Sequence, residues 1–213
     1  MACCPQCRGL ESLFDDKTAK KELKSYRNKG PSKTTQMLVE ALKTEGVEAM
    51  TLLDIGGGIG AIQHELLKAG VSRATNVDAS TAYIKAAQEE AGRQGYAEKV
   101  NYHFGNFVDL AANLSPADIV TLDRAICCYH DMPALVGASA EKAQKLYGVV
   151  YPRDTWWIKI GKTVANFGLW LFRNPYRMFV HPTQDVETVL YRGGLRRRFY
   201  QKTFLWQVAV YAR

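Results

Sequence analysis

The chain contains no uninterrupted apolar stretch long enough to cross a bilayer, so a helical membrane span is not expected. Its first residues, Met-Ala-Cys-Cys-Pro-Gln-Cys, lack the apolar core of a signal peptide, which makes the cytoplasm the expected compartment. Low-complexity runs and internal repeats are also missing. Cysteine is sparse and odd in number: five residues, clustered at Cys3, Cys4 and Cys7 and again at Cys127 and Cys128. Without a secretion signal, that pattern points to reduced thiols rather than a disulfide framework. Cys4 and Cys7 form a C-x-x-C, but no second pair and no H-x-x-x-H follows to complete a tetrahedral zinc site. A site that added Cys127 or Cys128 to the N-terminal thiols would need the tail folded over, and no metal is expected.

What is present fits one α/β domain with a sizeable core: 213 residues, 47% of them apolar and 23% charged. The net charge is +7, with much of the excess at Lys17–Lys33 and Arg192–Arg198. Such a surface is either a solvated face or meets an anionic partner. No RNA-binding module accompanies it. A small molecule is therefore the expected partner ahead of nucleic acid, and peripheral membrane contact stays open.

Residues 52–60, Leu-Leu-Asp-Ile-Gly-Gly-Gly-Ile-Gly, carry most of the information. A buried strand at 50–55 ends in glycines and opens a helix from about Ile59 to Ala69, a turn where backbone can approach a ligand closely. A second apolar strand ends in Val77-Asp78-Ala79-Ser80, with Ser80 placed to cap the next helix. Asp78 lies about twenty residues beyond the glycines, where an acid can accept from two ribose hydroxyls. Gly56, Gly58 and Ala61 formally satisfy the dinucleotide fingerprint. Asp54, however, would repel a pyrophosphate, whereas a phosphate-free nucleoside carrying an amino group would be attracted.

Further strands are expected at 100–104, 118–123 and 147–151, with helices at 80–92 and 133–145. Gly105, Asn106 and Phe107 follow the third strand. Asp123-Arg124-Ala125-Ile126-Cys127-Cys128-Tyr129-His130-Asp131 follows the fourth, at the crevice of an open α/β sheet. Of the reactive groups there, His130 is the expected base, because its reference pKa lies near neutrality. Tyr129 or Tyr26 could orient an acceptor, and Cys128 joins the catalytic candidates. Asn174-Pro175-Tyr176 is set aside as remote, and His181 is read as structural. Residues 155–172 read as an apolar helix capped by Asp154, expected to pack on the sheet. Its alternatives are a pocket wall or a membrane-surface face. Residues 196–204 and 205–211 alternate as a closing pair of strands, which a dinucleotide-binding domain does not have.

The glycine stretch resembles motif I of class I S-adenosylmethionine-dependent methyltransferases, and Val77–Ser80 resembles their acidic ribose site. The resemblance implies a Rossmann-like α/β fold: a seven-stranded sheet with an antiparallel C-terminal hairpin, helices on both faces and an N-terminal helical lid. Residues 1–48 would then be tail and lid, and 49–213 the methyltransferase domain. S-adenosyl-L-methionine is the implied cofactor, with Asp54, Gly56, Gly58, Gly60, Asp78, Ala79, Gly105, Asn106, Phe107, Asp123 and Arg124 around it. Within the class, the chain is similar to relatives of magnesium-protoporphyrin O-methyltransferases. Leu52–Gly60, Asp78, Gly105–Phe107, Asp123–Met132 and Phe179-Val180-His181-Pro182 carry that likeness. Those enzymes use a Tyr in the N-terminal region, for which Tyr26 could stand. They also use a His after the fourth strand, where Cys128 stands here with His130 two residues on.

Overall fold

A computed structural model describes residues 5–213. Three helices come first: α1 (Pro5–Leu13), α2 (Asp16–Lys29) and α3 (Lys33–Thr44). The alternating core follows as β1 (Thr51–Ile55), α4 (Ala61–Lys68), β2 (Arg73–Asp78), α5 (Thr81–Arg93), β3 (Val100–Phe104), α6 (Phe107–Leu110), β4 (Ala117–Asp123), α7 (Met132–Lys142) and β5 (Ala143–Pro152). The chain closes with α8 (Trp156–Leu171), α9 (Thr183–Arg192), β6 (Arg196–Lys202) and β7 (Trp206–Ala212). The sheet order is β3-β2-β1-β4-β5-β7-β6. Strands β1 to β5 run parallel, and β7 lies antiparallel to both β5 and β6. The seven strands and the closing hairpin are those expected from the sequence.

Two apolar layers cover the two faces because neighbouring strand residues point to opposite sides. Leu52, Ile119, Val150 and Val210 pack with Leu38 and Leu42 of α3 and Leu66 of α4. Leu53, Val120, Val149 and Ala209 pack with Val136 of α7 and Leu190 of α9. This arrangement leaves the carboxyl ends of the parallel strands, with their following turns, as the natural crevice.

The N-terminal region departs from the expectation in two ways. The helix expected over 11–29 is two helices, because Asp15 accepts from the Thr18 backbone N–H at 2.8 Å and starts α2 afresh. Helix α3 is not a lid: Leu38 and Leu42 are buried in the sheet layer. Helix α2 is fastened to α5 instead. Arg27 Nε donates to the buried Glu90 carboxylate at 2.7 Å, and Arg93 and Gln94 donate to it as well. Burial alone would raise this carboxyl, but hydrogen bonds from Arg93, Gln94 and Arg27 hold it down at about 2.

Tyr26 also belongs to this joint. Its hydroxyl donates to Glu65 Oε1 at 2.6 Å, and it does not line the cavity described below. Tyr26→Phe should therefore lower stability by about 1 kcal/mol in urea unfolding. S-adenosylhomocysteine affinity should stay unchanged, and a large loss would return Tyr26 to the site.

Candidate active site

The turn after β1 is shaped by glycine where other residues would not fit. Gly56 has φ +66°, and a Cβ there would lie 2.9 Å from that of Ala125. Gly60 has φ +78° and begins α4, with its N–H donated to the Gly57 carbonyl at 2.8 Å. Gly56 and Gly58 face a cavity of about 380 Å³ at the carboxyl ends of the strands.

Asp78 ends β2 and enters this cavity. Its Oδ2 accepts from the Gly58 N–H and its Oδ1 from the Ser80 N–H, both at 2.8 Å. The acid thus fixes the glycine turn while keeping further lone pairs for a ligand. Burial pushes its carboxyl up to about 6, although the N–H groups of Gly58, Ser80 and Ala79 pull the other way. Asp54 lies behind the turn. Its Oδ1 accepts from Thr121 Oγ1 at 2.8 Å, while its buried Oδ2 has no partner. Burial pushes this carboxyl up to about 7; the Thr121 bond opposes the rise, and the charges of Asp123 and Asp78 add to it.

Much of the cavity wall is apolar: Leu10 and Leu13 of α1, Phe14, Met178 and Trp206 line it together with Tyr176, whose ring lies 6.4 Å from that of Phe14. Helix α1 is held in place there: Ser80 Oγ donates to the Phe14 carbonyl at 2.7 Å, and Asn174 Nδ2 reaches Ser12 Oγ at 3.2 Å. Polar groups are few. Glu22, Arg124, Cys128 and Tyr129 supply them alongside Asp78, Asn106 and Asp123.

Residues 52–146 match the family described as "Methyltransferase domain". A ribosomal protein L11 methyltransferase of Yersinia pseudotuberculosis is 32% identical over 91 residues, which cover 43% of this chain and 30% of that protein. The chain thus spans about a third of the length of the curated relatives it matches. Among solved structures, magnesium protoporphyrin IX methyltransferase from Synechocystis PCC 6803 with bound SAM aligns over 100% of this chain and 99% of that one. Its TM-score is 0.73 at 14% identity. An O-methyltransferase family protein from Burkholderia thailandensis aligns over 95% of this chain and 62% of that one, with TM-score 0.70 and 18% identity. Residues 52–146 therefore match a methyltransferase domain, and the fold around them is shared with these solved methyltransferases.

The fold brings most of the expected cofactor residues to one cavity. Gly56, Gly58, Asp78, Ala79, Gly105, Asn106, Phe107, Asp123 and Arg124 all line it. Asp54 and Gly60 stand behind the turn rather than on the cavity wall. Two of the lining groups are already engaged. Asn106 Oδ1 accepts from the Val108 N–H and caps α6, while its Nδ2 donates to the Tyr129 hydroxyl at 3.1 Å. Asp123 accepts from Thr35 Oγ1 at 2.5 Å and from Arg124 Nε at 3.0 Å. Arg124 itself sits at φ +59°, a backbone turn that aims its side chain back across its neighbour.

The catalytic candidates divide. Cys128 and Tyr129 line the cavity; His130 and Tyr26 do not. The His130 ring stacks on Tyr129 with centroids 5.3 Å apart, and the Phe179 ring lies 6.5 Å away. His130 thus lies beside the cavity wall that Tyr129 lines rather than on it. His181 donates from Nε2 to the Tyr129 carbonyl at 2.9 Å, a structural bond as expected.

Tyr176, set aside from sequence as remote, is in the cavity with its hydroxyl 3.1 Å from Cys128 Sγ. The hydrogen bond with Cys127 and that with Tyr176 hold the Cys128 thiol below its usual range against burial, while burial raises the Tyr176 phenol. Glu22, Leu10, Leu13, Phe14, Met178 and Trp206 carried no local signal; long-range packing alone brings them here. Among the described residues no cluster of three or more His, Cys, Asp or Glu side chains could hold a metal. Cys3 and Cys4, and the side chain of Cys7, lie outside what the structure describes.

The residues present fit S-adenosylmethionine. An unpartnered buried carboxylate oxygen at Asp54 and an acid at Asp78 surround a turn kept free of Cβ atoms, and both suit a cationic, phosphate-free nucleoside. A pyrophosphate would meet the fields of Asp54, Asp78 and Asp123 together.

Proposed function

We propose that this chain methylates a small, largely apolar organic molecule bearing a carboxylate, phenol or thiol. The observation that supports this is that one cavity is lined both by Asp78 with the glycine turn and by Leu10, Leu13, Phe14, Tyr176, Met178 and Trp206. Apolar pockets with a few placed polar groups suit small organic ligands. Asp78 and the N–H groups of the glycine turn would hold the nucleoside, with Asp54 supplying negative potential behind it. S-adenosylmethionine, when bound, supplies a methyl group already activated on a sulfonium.

The protein's own work is alignment and exclusion of water. Helix α1 and the 174–178 segment cover the acceptor end. Arg124 offers positive charge at the rim, tempered by its pairing with Asp123. A carboxylate acceptor needs no base. For a phenol or thiol, the Cys128–Tyr176 pair is one group in the cavity able to accept a proton and pass it on.

The test is methyl transfer from labelled S-adenosylmethionine to a panel of hydrophobic carboxylic acids, phenols and thiols, with RNA and a basic protein as competing acceptors. Transfer confined to one small-molecule class is expected. Label entering RNA or protein alone would overturn the reading. If a phenol is the acceptor, Cys128→Ser should lower kcat more than it raises KM.

A further inference from the structure

We propose that the outer face of α8 docks on an anionic lipid surface, with the cavity mouth beside it. The sequence led us to expect this helix to be packed on the sheet, and the structure corrects that: none of its residues is buried. Trp156, Ile160, Val164, Phe167 and Leu171 recur at spacings of four, four, three and four, which stacks them along one face of a helix. Trp156 is 73% exposed, Val164 67% and Phe167 61%, and Trp170 flanks the stripe at 61%. An apolar face this continuous marks an interaction surface.

Charge selects the partner. From Thr155 to Gln184 there is no Asp or Glu, while Lys159, Lys162 and Arg173 lie on or next to the helix. A second copy of the chain would bring these like charges together. An anionic headgroup layer would pair with them while the stripe enters the acyl boundary. Tryptophan at both ends of α8 suits that boundary, since the indole ring is apolar and its N–H is polar. Phe204, in the turn between β6 and β7, stacks on Trp157 with centroids 4.5 Å apart and widens the patch. No helix among the described residues is long and apolar enough to cross a membrane, so α8 would lie in the surface.

The inner side of α8 ties the surface to the site. Asn166 Nδ2 donates to the Met178 carbonyl at 2.9 Å, and the Met178 N–H donates to Asn166 Oδ1 at 2.8 Å. Met178 lines the cavity, and the Phe179 N–H donates to the Cys127 carbonyl at 2.8 Å. A docked α8 therefore holds the acceptor end of the cavity next to the lipid.

The test uses the full chain and vesicles of phosphatidylcholine with and without phosphatidylserine, read by co-sedimentation and tryptophan emission. The protein should bind the anionic vesicles, with a blue shift, and release with added salt. The triple variant W156S/F167S/W170S should bind ~tenfold or more weakly. Lys159→Gln and Arg173→Gln should each cost roughly fivefold on anionic vesicles. Unchanged S-adenosylhomocysteine affinity in these variants would show that the fold is intact, and the docking stands or falls separately from methyl transfer. Absence of vesicle binding by the unmodified chain, or equal binding by the triple variant, would overturn the proposal. So would a dimer in solution that the triple variant dissociates, because the stripe would then be covered by a second copy.

Discussion

Asp78→Ala should weaken S-adenosylhomocysteine binding by roughly tenfold or more, the loss of one or two charge-assisted hydrogen bonds. The effect has two sources. The carboxylate faces the cavity, and it also holds the Gly58 and Ser80 N–H groups at 2.8 Å. Asp78→Asn separates them: the amide oxygen can keep one of these bonds, but the charge is gone. An intermediate affinity is expected for Asn, measured by calorimetry on protein whose unfolding transition is intact. Alanine and wild type binding equally would remove Asp78 from the nucleoside site.

The second large effect concerns Asp54. A carboxyl raised to about 7 in the folded chain holds its proton far more tightly than in the unfolded one. The folded state then binds more protons between about pH 4 and pH 7, so stability is full at the acid end and falls as pH rises through that window. Three units correspond to on the order of 4 kcal/mol. Asp54→Asn can keep the Thr121 bond and abolish the titration. The variant should be more stable than wild type at pH 8, by up to that amount, and nearly equal to it at pH 4. Urea unfolding at the two pH values checks this. The same substitution should weaken S-adenosylhomocysteine binding, because the negative potential behind the glycine turn is lost. A variant less stable than wild type at pH 8 would contradict the account.

The parts of the site built from neighbouring residues were legible in the sequence. The glycine turn, Asp78 and the Ser80 cap are each specified within a few residues. The Ser80 side chain does accept from the Tyr83 N–H, as its position suggested. Contacts between distant segments were not legible. Cys128 meets Tyr176 across 48 positions, and nothing near either residue announces the other. The inward face of the turn after β4 depended on whether Tyr129 or His130 points to the cavity, and a single-residue rotation decides that.

Helix α8 shows a different limit. Its periodicity revealed an apolar face, but only tertiary structure says whether that face is covered. Its expected cap failed for a related reason: Asp154 accepts from the Thr183 N–H at the start of α9 instead. Helix α3 looked like part of a lid because it precedes the first strand, yet its Leu38 and Leu42 are drawn into the sheet layer.

The most direct test of the whole account is a calorimetric titration of the purified chain with S-adenosylhomocysteine and, separately, with NADH. An acidic, phosphate-averse glycine turn predicts saturable binding of the first and none of the second. Binding of NADH with indifference to the adenosyl-sulfur ligand would contradict it.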